Sequence, residues 1–309
     1  MNIGRLMAGV YGQPKSKEAK RPLARSQSAV IDIAALLGEF LKHTYSSPTL
    51  YHGQWLTAMD WNRMCPYHKR SQGHFHPSSG LLEGIGCARS AVLDLLCATK
   101  SEPKVQASLA AILDNGTCRH VGMHTAFLGM ARLGYGGVGE YLFETRLQHQ
   151  SLPLEGSRDG KVVMQNGSSF IIDYKTVNAN GFSKIAKDGP KESHVVQLNT
   201  YMGMGGDSVG IILYENKDNQ RCQQCIIDFD PMLYRMVESR CKELLRFAVD
   251  CRLPEYDSAT CRNSCTLCDY SWACSAERSG EDVQLLDNRT EELREGHRRA
   301  LYGEGPEIL

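Results

Sequence analysis

Apolar and polar positions change regime part-way along the chain. From Ser28, Ile31, Ile33, Leu36, Leu37 and Phe40 recur at helical spacing. Leu81, Leu82, Ile85, Val92, Leu93 and Leu96 lay a second helical stripe over residues 81–96. Lys104 to Leu113 reads as a short helix, and Asn115-Gly116 opens another bearing Val121, His124, Phe127, Leu128 and Met130. Gly134-Tyr135-Gly136-Gly137 ends it, and the pattern turns strand-like. Residues 140–147 alternate, which places Glu140 and Glu144 on one face. Leu154 to Met164 and Phe170 to Thr176 follow as strands around an Asn166-Gly167 turn, so the two are antiparallel neighbours. A polar loop over 178–192 leads to a helix from Ser193 to Met202, stopped by Gly203, Gly205 and Gly206. Strands Val209–Tyr214 and Cys222–Phe229 and a long amphipathic helix, Leu233–Val249, complete the pattern. The fold expected is α/β, a central mixed β-sheet flanked by helices.

Composition narrows the setting. The 309 residues carry 35 basic and 35 acidic side chains, so any nucleic-acid contact is confined to a local cleft. Residues 1–28 are the basic exception: Arg5, Lys15, Lys17, Lys20, Arg21 and Arg25 face one acid, Glu18. They read as a mobile arm, either a simple tail or a phosphate-contacting one. No run approaches 18 apolar residues, which predicts no membrane span. Met1 to Val10 is broken by Gly4, Arg5 and Gly9 and lacks the apolar core of a secretion signal, so a cytoplasmic protein is expected. In a reducing compartment twelve cysteines point to metal rather than disulfides, and Cys261, Cys265, Cys268 and Cys274 crowd together. Residues after Ala276 are polar and charged, as in a C-terminal tail or helix, so 29–276 is the expected folded domain.

The candidate chemistry centres on Phe170-Ile171-Ile172-Asp173-Tyr174-Lys175-Thr176. Asp173 and Lys175 share a face of this strand. They make either a local ion pair or a metal-dependent hydrolytic site in which the lysine orients water. Asp159 lies on the neighbouring strand, where a second carboxylate would suit a divalent cation, although Asp159-Gly160 is also a turn dipeptide. His120 and His124 share a helix face. The pair has no third zinc ligand in register, and His124 reads as a buried, satisfied histidine.

Four short patterns occur in order: Gly116-Thr117-x-x-His120, Gly156-x-x-Asp159-Gly160, Asp173-x-Lys175 and Gln197-x-x-x-Tyr201. Together they resemble the PD-(D/E)XK nuclease superfamily in its RecB-like branch, over roughly residues 65–274. The resemblance implies a restriction-endonuclease-like fold and hydrolysis of DNA, single-stranded or at free ends. It implies Mg²⁺ or Mn²⁺ on His120, Asp159 and Asp173, with catalytic roles for Asp159, Asp173, Lys175, Gln197 and Tyr201. Glu144 reads as an outlying acid of that site or a solvated strand residue. No G-x-x-x-x-G-K-[ST] run occurs, so ATP-driven strand opening, if used, belongs to a helicase or recombination partner. A non-catalytic nucleic-acid-binding or assembly module on the same fold is the competing reading.

Cys265-x-x-Cys268, followed by five residues and Cys274, resembles the iron–sulfur staple of nucleases in CRISPR adaptation systems and of AddB-type nucleases. That likeness implies a [4Fe-4S] cluster whose fourth thiolate lies upstream. Cys65, followed by Pro66, fits that place, and Cys87 and Cys261 are the alternatives. Such a cluster would tie the N-terminal helical region to the cysteine-rich C-terminal segment. A Zn²⁺ site with four cysteines is the simpler alternative.

Overall fold

A computed structural model describes residues 31–46, 71–82, 85–101, 107–256, 265, 268–278 and 287–303. The basic arm, Cys65 and Cys261 lie outside these residues. Helices α1 (Ile33–Ser46), α2 (Ala88–Leu95) and α3 (Ala107–Leu133) precede strands β1 (Val138–Gln148), β2 (Glu155–Met164) and β3 (Ser169–Val177). Then come α4 (Ala179–Asp188), α5 (Glu192–Gly205), β4 (Val209–Asn216), β5 (Cys222–Asp228), α6 (Pro231–Val249), α7 (Ser271–Arg278) and α8 (Glu291–Tyr302).

The strands form one mixed sheet in the order β1-β2-β3-β4-β5. β1, β2 and β3 are an antiparallel meander, β4 runs parallel to β3, and β5 returns antiparallel. The parallel step requires a crossover, which α4 and α5 supply. The helix-flanked α/β sheet is therefore as expected. Alternation sorts β3 onto two cores. Phe170, Ile172 and Tyr174 pack with Phe40, Phe127 and Met130 of α1 and α3, whereas Ile171 and Val177 pack with Leu198, Tyr201 and Met202 of α5. Among the described residues no helix is long and apolar enough to cross a membrane.

Several boundaries differ from the sequence reading. The two helices expected around residues 104–130 are one, because Asn115-Gly116 sits inside α3 with nothing near Gly116 to break it. A single interior glycine costs only about 1 kcal/mol. The stripe over 81–96 is helical only from Ala88; Leu81 and Leu82 enter the core from the preceding loop. The expected loop over 178–192 contains α4, capped by Asn178 Oδ1, which accepts from the Gly181 amide at 2.8 Å. Of the tail or helix expected after Ala276, the described residues form α8, whose His297 is buried and within 2.8 Å of the Gly73 carbonyl oxygen.

Candidate active site

The meander brings the two aspartates together. β2 and β3 pair from Val163 opposite Ser169 to Gly160 opposite Ile172, and then they part. At the fork Asp159 Oδ2 accepts the Tyr174 amide at 2.7 Å, so one side chain replaces the next ladder bond. Along β3 itself Lys175 Nζ donates to Asp173 Oδ1 at 2.8 Å. Asp159-Gly160 is therefore strand rather than turn.

The glycines flanking this fork are explained by two tyrosines. A Cβ on Gly160 would overlap the ring of Tyr141, which leans across from β1. A Cβ on Gly156 would come 3.0 Å from both Cε1 and the hydroxyl of Tyr201 on α5. The Gly-x-x-Asp-Gly spacing thus lets a tyrosine from each side close over β2 and fix Asp159 between them. Arg158 and Lys161 add a polar clamp. Both donate to Asp207, just beyond α5, at 2.8 and 2.6 Å.

Asp173 is almost wholly buried, and burial pushes its carboxyl up to about 6; the Lys175 ammonium opposes the rise and the charge of Asp159 adds to it. Its Oδ2 has no hydrogen-bond partner. From the opposite layer, His120 of α3 comes edge-on to the Tyr174 ring, centroids 5.1 Å apart, with Nδ1 3.8 Å from Asp159 Oδ2. That ring nitrogen is also buried without a hydrogen-bond partner. A buried carboxylate oxygen and a buried imidazole nitrogen, both unsatisfied around a second carboxylate, cost free energy unless a further group meets them. Oxygen donors with one imidazole fit a divalent cation.

Gln197 and Tyr201 share the buried face of α5, and Tyr201 lies on Gly156. His194, one turn before Gln197, is within 2.8 Å of the Tyr214 hydroxyl through Nδ1. Burial, then the charges of Lys175 and Lys191, hold its imidazole down at about 3. Lys175 and Lys191 therefore put positive charge around His194, which stays neutral.

The sequence reading left Glu144 of β1 open, as an outlying acid of the site or a solvated strand residue. Phe143 pairs with Gly160 and Thr145 with Arg158, so Glu144 falls opposite Asp159, but its φ of 44° takes it out of the ladder. Glu144 therefore leaves the face of Glu140, where alternation placed it, and its Oε1 lies 3.3 Å from His124 Nε2. The H-x-x-x-H pair was the available signal; its carboxylate partner arrives from another element.

Four thiols gather away from the sheet. Burial raises the Cys268 thiol, and Cys87, Cys265 and Cys274 are near enough for their charges to raise it further. Burial raises the Cys274 thiol as well, Cys87 and Cys265 add to the rise, and Arg89 opposes it by favouring the thiolate. Cys87 immediately precedes α2 and Cys274 lies in α7, so the grouping joins the N-terminal helices to the C-terminal segment. Among the described residues no three of these sulfurs lie within 4.8 Å of one another. Four sulfurs around one zinc at 2.3 Å would stand only about 3.8 Å apart.

No protein-family model and no curated protein matches the chain. Among solved structures it is similar to SSO0001, with 17% identity and a TM-score of 0.41 over 78% of this chain and 95% of that one. It is also similar to an alkaline exonuclease (LHK-Exo) from Laribacter hongkongensis, with 16% identity and a TM-score of 0.44 over 58% of this chain and 89% of that one. That exonuclease has also been solved in complex with dAMP. These likenesses are distant.

Proposed function

We propose that the chain is a metal-dependent DNA nuclease that digests from ends, with Asp159, Asp173 and His120 holding Mg²⁺ or Mn²⁺. The observation that carries this reading is the buried Asp173 carboxylate. One oxygen is bound by Lys175 and the other has no partner, while Asp159 and an unsatisfied His120 nitrogen stand close by. A merely structural ion pair would not leave those atoms unmet. The order of the four motifs supports a RecB-like nuclease, and preference for free ends or single strands rests on that resemblance.

Each residue has a task in hydrolysis. The cation, when bound, polarises the phosphate and lowers the pKa of water. Tyr174 N–H pins Asp159, so that carboxylate would hold the cation in one orientation. Lys175, held 2.8 Å from Asp173, orients the attacking water and offsets charge gathering on the phosphate oxygens. Lys191 draws in the backbone of the strand. Tyr201 and Gln197 hold α5 against β2 and so keep the fork in shape. Arg158 and Asp207 brace the chain just before Asp159.

The four gathered thiols support a [4Fe-4S] cluster held by Cys87, Cys265, Cys268 and Cys274, with Cys87 in the upstream place first given to Cys65. Their spacing is wider than one zinc ion would draw together. Such a cluster would act as a staple, since it lies away from the carboxylates.

The test is digestion of end-labelled single- and double-stranded DNA by anaerobically purified protein with Mg²⁺ or Mn²⁺. Progressive shortening is expected, lost in Lys175→Ala with DNA binding retained. Folded, metal-supplied protein that binds DNA but cuts none would overturn the reading in favour of a binding module. Brown protein with iron in its assay supports the cluster, and colourless protein carrying zinc refutes it.

A further inference from the structure

We propose that His120, His124 and Glu144 form a second cation site, selective for a zinc-class ion over magnesium and separate from the Asp159–Asp173 pair. One ligand atom from each residue lies within 4.8 Å of the other two. Among the described residues this is the single group of three or more potential ligands that does so.

The geometry of the His124–Glu144 contact suits a metal better than a proton. His124 Nδ1 is 2.9 Å from the Tyr141 hydroxyl, which fixes the ring and leaves Nε2 toward Glu144. The Nε2 to Oε1 distance is 3.3 Å. A charge-assisted N–H···O bond closes to about 2.8 Å. Two ligands of a tetrahedral ion at about 2.0–2.1 Å stand roughly 3.3 Å apart. The third donor, His120, is the imidazole with a buried, partnerless nitrogen.

Backbone and charge point the same way. Glu144 is held at a φ of 44°, a left-handed conformation that costs a non-glycine residue about 1–2 kcal/mol. That strain turns its carboxylate from the outer face of β1 into the histidine pair. Burial raises the Tyr141 hydroxyl, and Asp159 and Glu144 are both near enough to raise it further, so two acids gather where a positive charge would offset them. Two imidazoles and one carboxylate suit zinc and its neighbours, whereas magnesium prefers an all-oxygen shell and keeps its waters.

If the nuclease reading of the carboxylates holds, the two sites compete. A neutral imidazole has one lone pair, so His120 serves one cation at a time. Zinc in this site would withdraw His120 from the carboxylates and slow Mg²⁺-supported cutting.

The direct test is zinc titration by calorimetry of the full-length protein, in millimolar Mg²⁺. Wild type should bind one more equivalent than either Glu144→Gln or His124→Gln, whereas Asp159→Asn and Asp173→Asn should keep that equivalent. Equal zinc stoichiometry and affinity in wild type and Glu144→Gln would overturn the proposal. Should the variants lose their circular-dichroism signature, anomalous diffraction at the zinc edge from soaked wild-type crystals decides instead. A peak among these three side chains supports the site, and none there refutes it. In cleavage assays, zinc inhibition should fall away in Glu144→Gln. Absence of any cleavage would count against the nuclease reading alone, because the titration reports on this site without it.

Discussion

Replacing Asp173 with asparagine should stabilise the metal-free protein while abolishing its activity. The Asp173 carboxyl stands at about 6 against an ordinary 3.8, first because it is buried and despite the opposing Lys175 ammonium. The raised folded-state value fixes the sign. Between about pH 4 and 6 the native state keeps a proton that the unfolded chain releases, so native stability falls as pH rises through that window. Above it the native state carries the whole cost of a buried, ionised carboxylate, about 3 kcal/mol at 1.4 kcal/mol per tenfold change in proton affinity. Asparagine preserves the shape and an acceptor for Lys175 but leaves that ammonium without its counter-charge. The expected net gain is about 1–3 kcal/mol. Thermal melts of wild type and Asp173→Asn in chelator should therefore coincide near pH 4, diverge through pH 5 and 6, and stay apart at pH 7–8, with the variant melting several degrees higher. Saturating Mg²⁺ should close the gap from the other side, since ligand at a hundred times its Kd stabilises wild type by about 2.7 kcal/mol. A variant less stable than wild type at pH 7–8 without metal would refute the reasoning, as would a gap unchanged between pH 4 and 8.

Lys175→Ala should lower single-turnover cleavage by about 10²–10³-fold, the usual cost of removing one group aimed at developing charge, with little change in DNA affinity by fluorescence anisotropy. Asp207→Ala strands the buried Arg158 guanidinium and the Lys161 ammonium, so chemical denaturation should show a loss of about 3–5 kcal/mol. Gly160→Ala drives a methyl into Tyr141, costing about 1–3 kcal/mol in the same assay, and the shift of Asp159 should raise the metal concentration needed for cutting. Cys87→Ser should yield protein with sharply reduced iron content, whereas Cys118→Ser, on the exposed side of α3, should retain it.

What the sequence made legible were features carried by local chemistry. The Asn166-Gly167 turn and the alternation in β3 placed Asp159 beside Asp173 and Lys175, because so short a hairpin turn leaves its flanking strands little choice of partner. The helical face of Gln197 and Tyr201 followed from spacing alone. What stayed hidden depends on contacts between elements distant in sequence. Gly156 and Gly160 were visible as a motif, but the tyrosines that forbid a side chain there come from α5 and β1. The polar run over 178–192 concealed α4 because only Phe182 and Ile185 supply its buried side, too few to show a period, and the helix depends on the Asn178 cap. Glu144 is the sharpest case. Alternation assumes an extended backbone at every residue, and one left-handed φ turned a solvent-facing acid into a partner for His124. The same departure completes a three-ligand set that the H-x-x-x-H spacing lacked. A pattern of side chains can therefore reveal half of a proposed cation site and leave its third ligand open, because that carboxylate is turned by backbone strain, which leaves no trace in residue type.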